Sequence, residues 1–218
     1  LENIPTMFKN KNEWYLDRKN SKVYYIPEED VDLENIEAYA PTIKKIFDFC
    51  GDAENKIYDI NIKNLEIMCT RGDYVSKYAK LPGTNKYSLL EDPEAGFASD
   101  VQSVCLAHGA ISFKNAQRCS VTDCLIHHIG THAIEVTTGC HNIKIENNKF
   151  DDIGAGAVKI FGGDVESDES DLTNCCIVRN NTIINCGKRL AAACGILVCH
   201  AAENEITGNE VAYLDYSG

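Results

Sequence analysis

From Ile57 onward the chain alternates apolar and variable residues in bursts of three to five, each followed by a polar turn. A period of two puts successive side chains on opposite faces of a strand, whereas a helix needs apolar residues recurring near every 3.6 positions. The bursts also repeat. The stretches Arg118 to Gly130, Asn142 to Gly154, Cys175 to Gly187 and Glu203 to Asp215 align, and Ile60 to Ile67 is a shorter copy. Matching positions lie 24 residues apart from Cys124 to Asn148, 33 from Asn148 to Asn181 and 28 from Asn181 to Asn209, so one coil takes about 24 residues and the remainder is insertion.

Between these copies runs a second strand-like set: Ala110 to Phe113, Ala133 to Val136, Ala157 to Ile160 and Gly195 to Val198. Coils of such strands stack at roughly 4.8 Å, so matching residues form columns. Ile62, Val121, Ile145, Val178 and Ile206 make one apolar column; Ile67, Ile126, Phe150, Ile183 and Val211 a second; Ile129, Ile153, Cys186 and Leu214 a third. Cys124, Asn148, Asn181 and Asn209 make a turn column, in which stacked amides can supply both donors and acceptors to buried backbone. Gly130, Gly154 and Gly187 recur at a bend that needs unusual dihedrals or close approach. The expected fold is all-β, a right-handed parallel β-helix over residues 51–218.

Residues 1–50 read differently, as an appended hairpin element and connector. Glu13 to Asp17 and Val23 to Pro27 flank a polar turn, and Trp14 is expected to pack within that hairpin. Glu34 to Phe49 receives no assignment, since Pro41 interrupts any single helix there. Met68 to His108, Gly162 to Asp171 and Lys188 to Cys194 read as loops leaving the stack, the kind that shape a solenoid's binding cleft. The last copy reaches Tyr216 to Gly218 without a polar cap, so further coils are expected to follow, and an unsupported end is expected to self-associate.

A hydrophobic share of 44% and a charged share of 25% suit an ordinary globular domain, and no apolar run is long enough to span a bilayer. A formal net charge of −12 repels phosphate backbones, so neither nucleic acid nor membrane is an expected partner. The eleven cysteines fall mostly where other coils place Ile or Val and lack zinc-type spacing, so no metal and no cofactor are expected. Unpaired thiols favour a reducing compartment, the cytoplasm, with secretion as the alternative.

The hairpin, the glycine-rich coil Ile153 to Ile160, the segment Cys194 to His200 and the segment Asn209 to Gly218 resemble right-handed β-helix glycoside hydrolases of bacteria, of the fucosidase and xylanase type within the pectate-lyase-like superfamily. The resemblance implies an oligosaccharide or polysaccharide substrate. It also implies a further acidic residue of the active site on coils beyond Tyr216 to Gly218.

Glycoside hydrolysis needs two carboxyl groups flanking the bond to be cut. Asp215 replaces the column glycine of earlier coils and is the candidate catalytic carboxylate, with a turn aspartate bonding its own backbone as the alternative. Glu135 and Lys159 fall in one outward column as cross-coil neighbours, expected as an exposed ion pair, with substrate contact the alternative. His200 and Asp164 lie where loops leave the second strand set and are candidate sugar contacts. His127 and His128, matched by Asp151 and Asp152, could suggest acid-base chemistry, but the expectation is that one of each pair simply points outward on a solvent face. Two competing classes remain: a lyase or epimerase acting on uronates, and a glycan-binding β-helix without catalysis.

Overall fold

The computed structural model describes residues 5–29, 31–72, 77–80, 87–90, 103–163, 168 and 171–218. Two compact units divide between Tyr39 and Ala40.

The first unit carries the expected hairpin, Trp14–Asp17 paired antiparallel with Lys22–Tyr25. Alternation places Tyr15 and Tyr24 on one face, where their rings stack at 6.2 Å and Phe8 joins them at 6.3 Å. Trp14 falls on the opposite face and is 61% exposed, so the packing expected for it is not found.

The second unit is a solenoid of three parallel five-stranded sheets. The first sheet stacks Asn61–Lys63, Ser120–Thr122, Lys144–Glu146, Ile177–Arg179 and Glu205–Thr207. The second stacks Glu66–Met68, Leu125–Ile129, Lys149–Ile153, Thr182–Ile184 and Glu210–Ala212. The third stacks Phe47–Cys50, Gly109–Lys114, His132–Val136, Val158–Phe161 and Ile196–Cys199. The solenoid thus starts earlier than residue 51: Phe47–Cys50 is its first strand, in the stretch left unassigned from sequence.

Strand register reproduces the first two apolar columns residue for residue. Of the third column, Ile129 pairs with Ile153 and Ile153 bridges to Cys186. These side chains close a single core in which Ile126, Ile145, Phe150, Ile153 and Ile183 are fully buried. Burying each one contributes about 1.5–3 kcal/mol. Cys119, Cys140, Cys176 and Cys186 sit in the same core as small apolar groups, and burial pushes the Cys140 and Cys186 thiols up to about 12.

The turn from first to second sheet is held by the asparagine column. Asn148 Oδ1 accepts from the Cys124 amide at 3.0 Å, while its Nδ2 donates to the Val121 carbonyl at 2.9 Å and to Asn181 Oδ1 at 3.0 Å. Asn181 repeats the pattern with the Ile145 carbonyl and Asn209, and Asn209 with the Val178 carbonyl. Each amide thereby satisfies backbone groups that the turn would leave buried and unpaired. The residue before each ladder position is left-handed, with φ of 54° to 64° at Asp123, Asn147, Asn180 and Gly208, types that tolerate that conformation. Gly130 and Gly154 work by close approach, since a Cβ on Gly154 would lie 2.4 Å from the Gly130 carbonyl oxygen, while Gly187 supplies a left-handed φ of 83°.

Insertions enter on both flanks of the third sheet. One lies between Cys69 and Gly109, a second around Lys188 to Ala193, and a third after Phe161. The first contains an antiparallel pair, Lys77–Lys80 with Leu90–Tyr87.

Candidate functional site

The outward column of the third sheet reads Asp48, Ser112, Glu135, Lys159 and Leu197. Lys159 Nζ lies 3.0 Å from Glu135 Oε2, as the register leads one to expect. Lys45 Nζ lies 3.2 Å from Glu135 Oε1 and 3.2 Å from Asp48 Oδ1.

This pair is not on an exposed face, contrary to the sequence reading: Glu135 is 6% exposed and Lys159 4%. The cause is segment 103–108, the end of the first insertion. Lys159 Nζ donates to its Cys105 carbonyl at 3.2 Å and to its Ala107 carbonyl. His132, fully buried, accepts the Gly156 N–H on Nδ1 at 3.1 Å, so its proton sits on Nε2, which donates to the Val104 carbonyl at 2.8 Å. Val104 and Ala107 pack with Ala155, Leu190 and Ala193, and the Ser103 amide donates to the Ala192 carbonyl. Two insertions are thus sewn together as a strap over the sheet.

The electrostatics fit a structural network. Burial alone would raise the Glu135 carboxyl, but Lys159, the Ser112 hydroxyl and Lys45 outweigh it and hold its pKa at about 2. Burial, then the Lys159 charge, pushes His132 down to about 4. At neutral pH Glu135 is an anion with no proton to give and His132 is uncharged.

Asp215 stands at the corner where the second sheet leads into the third. Its amide donates to the Cys186 carbonyl, and its Cβ lies 3.2 Å from a Cβ built on Gly187, so it stacks on the glycine column as aligned. Its carboxylate is 41% exposed and lies 3.1 Å from Lys188 Nζ. Ser217, two residues on, bridges to Cys194 at the edge of the third sheet.

The same corner carries a hollow of about 190 Å³ that sequence reasoning missed. Thr70, His128, Asp152, Lys188 and Arg189 rim it, over a floor that includes Gly130 and Gly154. His128 Nε2 lies 3.6 Å from Asp152 Oδ2. The coil alignment pairs His128 with Asp152, but only the fold of the insertion brings Lys188 and Arg189 beside them. Among the described residues, no group of three or more His, Cys, Asp and Glu side chains is placed to hold a metal ion.

His200 lies at the opposite edge of the sheet, exposed, with Nδ1 3.0 Å from the Gly163 carbonyl and its ring 5.4 Å from that of Phe161. Asp164 lies outside the described residues. The structure therefore joins Glu135 to Lys159 and sets Asp215 and His200 on opposite flanks of the third sheet.

Residues 55–211 match the family described as the right-handed beta helix region. A solved structure of a glycoside hydrolase superposes with a TM-score of 0.77 at 16% identity, over 97% of this chain and 39% of that one. The chain thus spans about two-fifths of that protein's length, and a likeness at this identity carries the fold alone. No curated protein matches the chain. Three parallel sheets in register and a family match across most of the sequence agree, and the chain belongs to the right-handed β-helix family.

Proposed function

We propose that this chain is part of a carbohydrate-active enzyme, a glycoside hydrolase that cuts a plant or host glycan by a two-carboxylate mechanism, with Asp215 as one carboxylate. The observation that carries this reading is the position of Asp215. A half-exposed carboxylate occupies a column that is glycine in the three preceding coils, beside a cation from an insertion. The solved structure that shares this fold is named a glycoside hydrolase, which agrees with the proposed reaction class while itself carrying only the fold.

In such a reaction one carboxyl protonates the departing oxygen and the other attacks the sugar carbon or activates water. We assign the partner carboxylate to the coils that follow Tyr216 to Gly218 in the enzymes this chain resembles. Fucosides and xylosides are the linkages favoured by that resemblance. Glu135 and Lys159 serve as positioning residues, fixing the strap that bounds the site. His200 donates from Nδ1 to a backbone carbonyl and keeps Nε2 for a sugar hydroxyl. A reducing compartment suits the eleven free thiols.

The test is mass spectrometry of products after the full-length parent protein meets fucosyl, xylosyl and uronate oligosaccharides. Fragments heavier in total by one water support the hydrolase, and Asp215→Asn should then lower kcat by roughly 10²–10⁴-fold. Unsaturated products without added water would instead make it a lyase. Binding without turnover would make it a glycan-binding solenoid.

A further inference from the structure

We propose that the hollow at the corner leading into the third sheet is a subsite for one neutral sugar ring, held by His128, Asp152, Lys188 and Arg189. The glycoside hydrolase reading enters only through the role of the neighbouring Asp215.

Size comes first. About 190 Å³ falls below the roughly 300–1,000 Å³ of pockets that take drug-sized ligands, and suits a single ring. The floor has no side chains at Gly130 and Gly154, because the stacked coils approach too closely for a Cβ there. Its amides are already used: Gly130 N–H donates to Thr70 Oγ1 at 3.1 Å, and Gly154 N–H to the Ile129 carbonyl at 2.7 Å. Ligand recognition therefore falls to the rim.

The rim sets one carboxylate acceptor, Asp152, beside the cationic donors Lys188 and Arg189 and the His128 imidazole. Neighbouring hydroxyls on a sugar both donate and accept, so they fit such a rim in a way an apolar ligand does not. Charge then selects among sugars. The carboxylates of Asp152 and Asp215 offset the cations Lys188 and Arg189, with Lys188 3.1 Å from Asp215, so the corner offers an anion little net attraction. A neutral ring is favoured over a uronate or a sulfated sugar. The backbone carrying His128 and Asp152 is also preset, since both sit at left-handed positions of one coil column, with φ of 50° and 52°, so only their side chains need ordering when a ligand arrives.

Asn185 occupies the matching position one coil later at φ 54°, so Asp152→Asn keeps a backbone the fold already accepts while removing the charge. The experiment titrates the full chain with D-xylose, L-fucose and, as the anionic comparison, D-glucuronate, followed by ligand-observed NMR. Expected is binding of a neutral sugar in the millimolar range, weakened about tenfold by Asp152→Asn and by Lys188→Met with the unfolding midpoint unchanged.

Absence of binding by both neutral sugars, tighter binding of glucuronate, or neutral-sugar affinity indifferent to both substitutions would overturn the subsite. The two readings fail separately. Sugar binding that depends on Asp152 in a parent protein without turnover keeps the subsite and removes the hydrolase. Turnover that depends on Asp215, with KM and sugar affinity untouched by Asp152→Asn, keeps the hydrolase and removes the subsite.

Discussion

Two corners of the same solenoid obey different rules. From the first sheet to the second, the inward residues are always five apart: Val121 to Ile126, Ile145 to Phe150, Val178 to Ile183, Ile206 to Val211. From the second sheet to the third, the path is six residues from His128 to Ile134 and from Asp152 to Val158, but eleven from Asn185 to Ile196 and forty-two from Cys69 to Ile111. The constant corner is fixed because each ladder asparagine reaches back to the coil before it, Asn148 to the Cys124 amide and the Val121 carbonyl and Asn181 to the Asn148 amide and the Ile145 carbonyl, and an extra residue would break that match. At the variable corner backbone pairs with backbone of the neighbouring coils, Gly154 N–H with the Ile129 carbonyl and Leu190 N–H with the Gly154 carbonyl, and no side-chain ladder fixes the length of the path, so insertions enter there and bring charged groups with them.

The sharpest way to break this contrast is to remove one asparagine from each corner of the same coil. Asn181→Ala strips partners from the Asn148 amide, the Asn148 side chain and the Ile145 carbonyl, all in a buried turn. With each unsatisfied group costing roughly 1–3 kcal/mol, a loss of about 4 kcal/mol is expected in urea unfolding. Asn185→Ala gives up a bond to Asp151 and a tolerated left-handed residue, and should cost about 1 kcal/mol. Equal losses would dissolve the distinction.

Acid should loosen the strap side next. His132 and Glu135 both have folded pKa values below their unfolded ones, so the unfolded chain takes up protons first as pH falls. The stability they supply is complete above their unfolded values. His132 loses its share between pH 6.5 and about 4, and Glu135 between pH 4.5 and about 2. Each is worth about 3 kcal/mol, and an acid-unfolding series should show His132→Gln flattening the upper part of the slope. The smallest effect belongs to the Lys188 to Asp215 pair, which is partly exposed; Lys188→Ala should change stability by less than about 1 kcal/mol in the same urea assay.

The sequence carried the constant corner almost whole. Five coils share its spacing, so the stacking of Val121, Ile126 and the ladder of Asn148, Asn181 and Asn209 is legible in the sequence. The Glu135 to Lys159 register was legible for the same reason, but its burial was not: the cover comes from Val104, Cys105 and Ala107, at the end of a long insertion with no repeat to compare. Phe47–Cys50 escaped because 64 residues separate Phe47 from its partner Ile111, far more than one coil. The hollow is not legible there. The coil alignment matches His128 with Asp152 but reads that pair as a solvent face, and Lys188 and Arg189 reach the hollow only through the turn of their loop.

Amide hydrogen exchange with and without a bound neutral sugar tests the division of labour between the two corners most directly. New protection should appear in segments 128–130, 152–154 and 187–190, with the turns at 121–126, 145–150 and 178–183 unchanged. Protection confined to those turns or to the outer face of the first sheet, with none around the hollow, would contradict it.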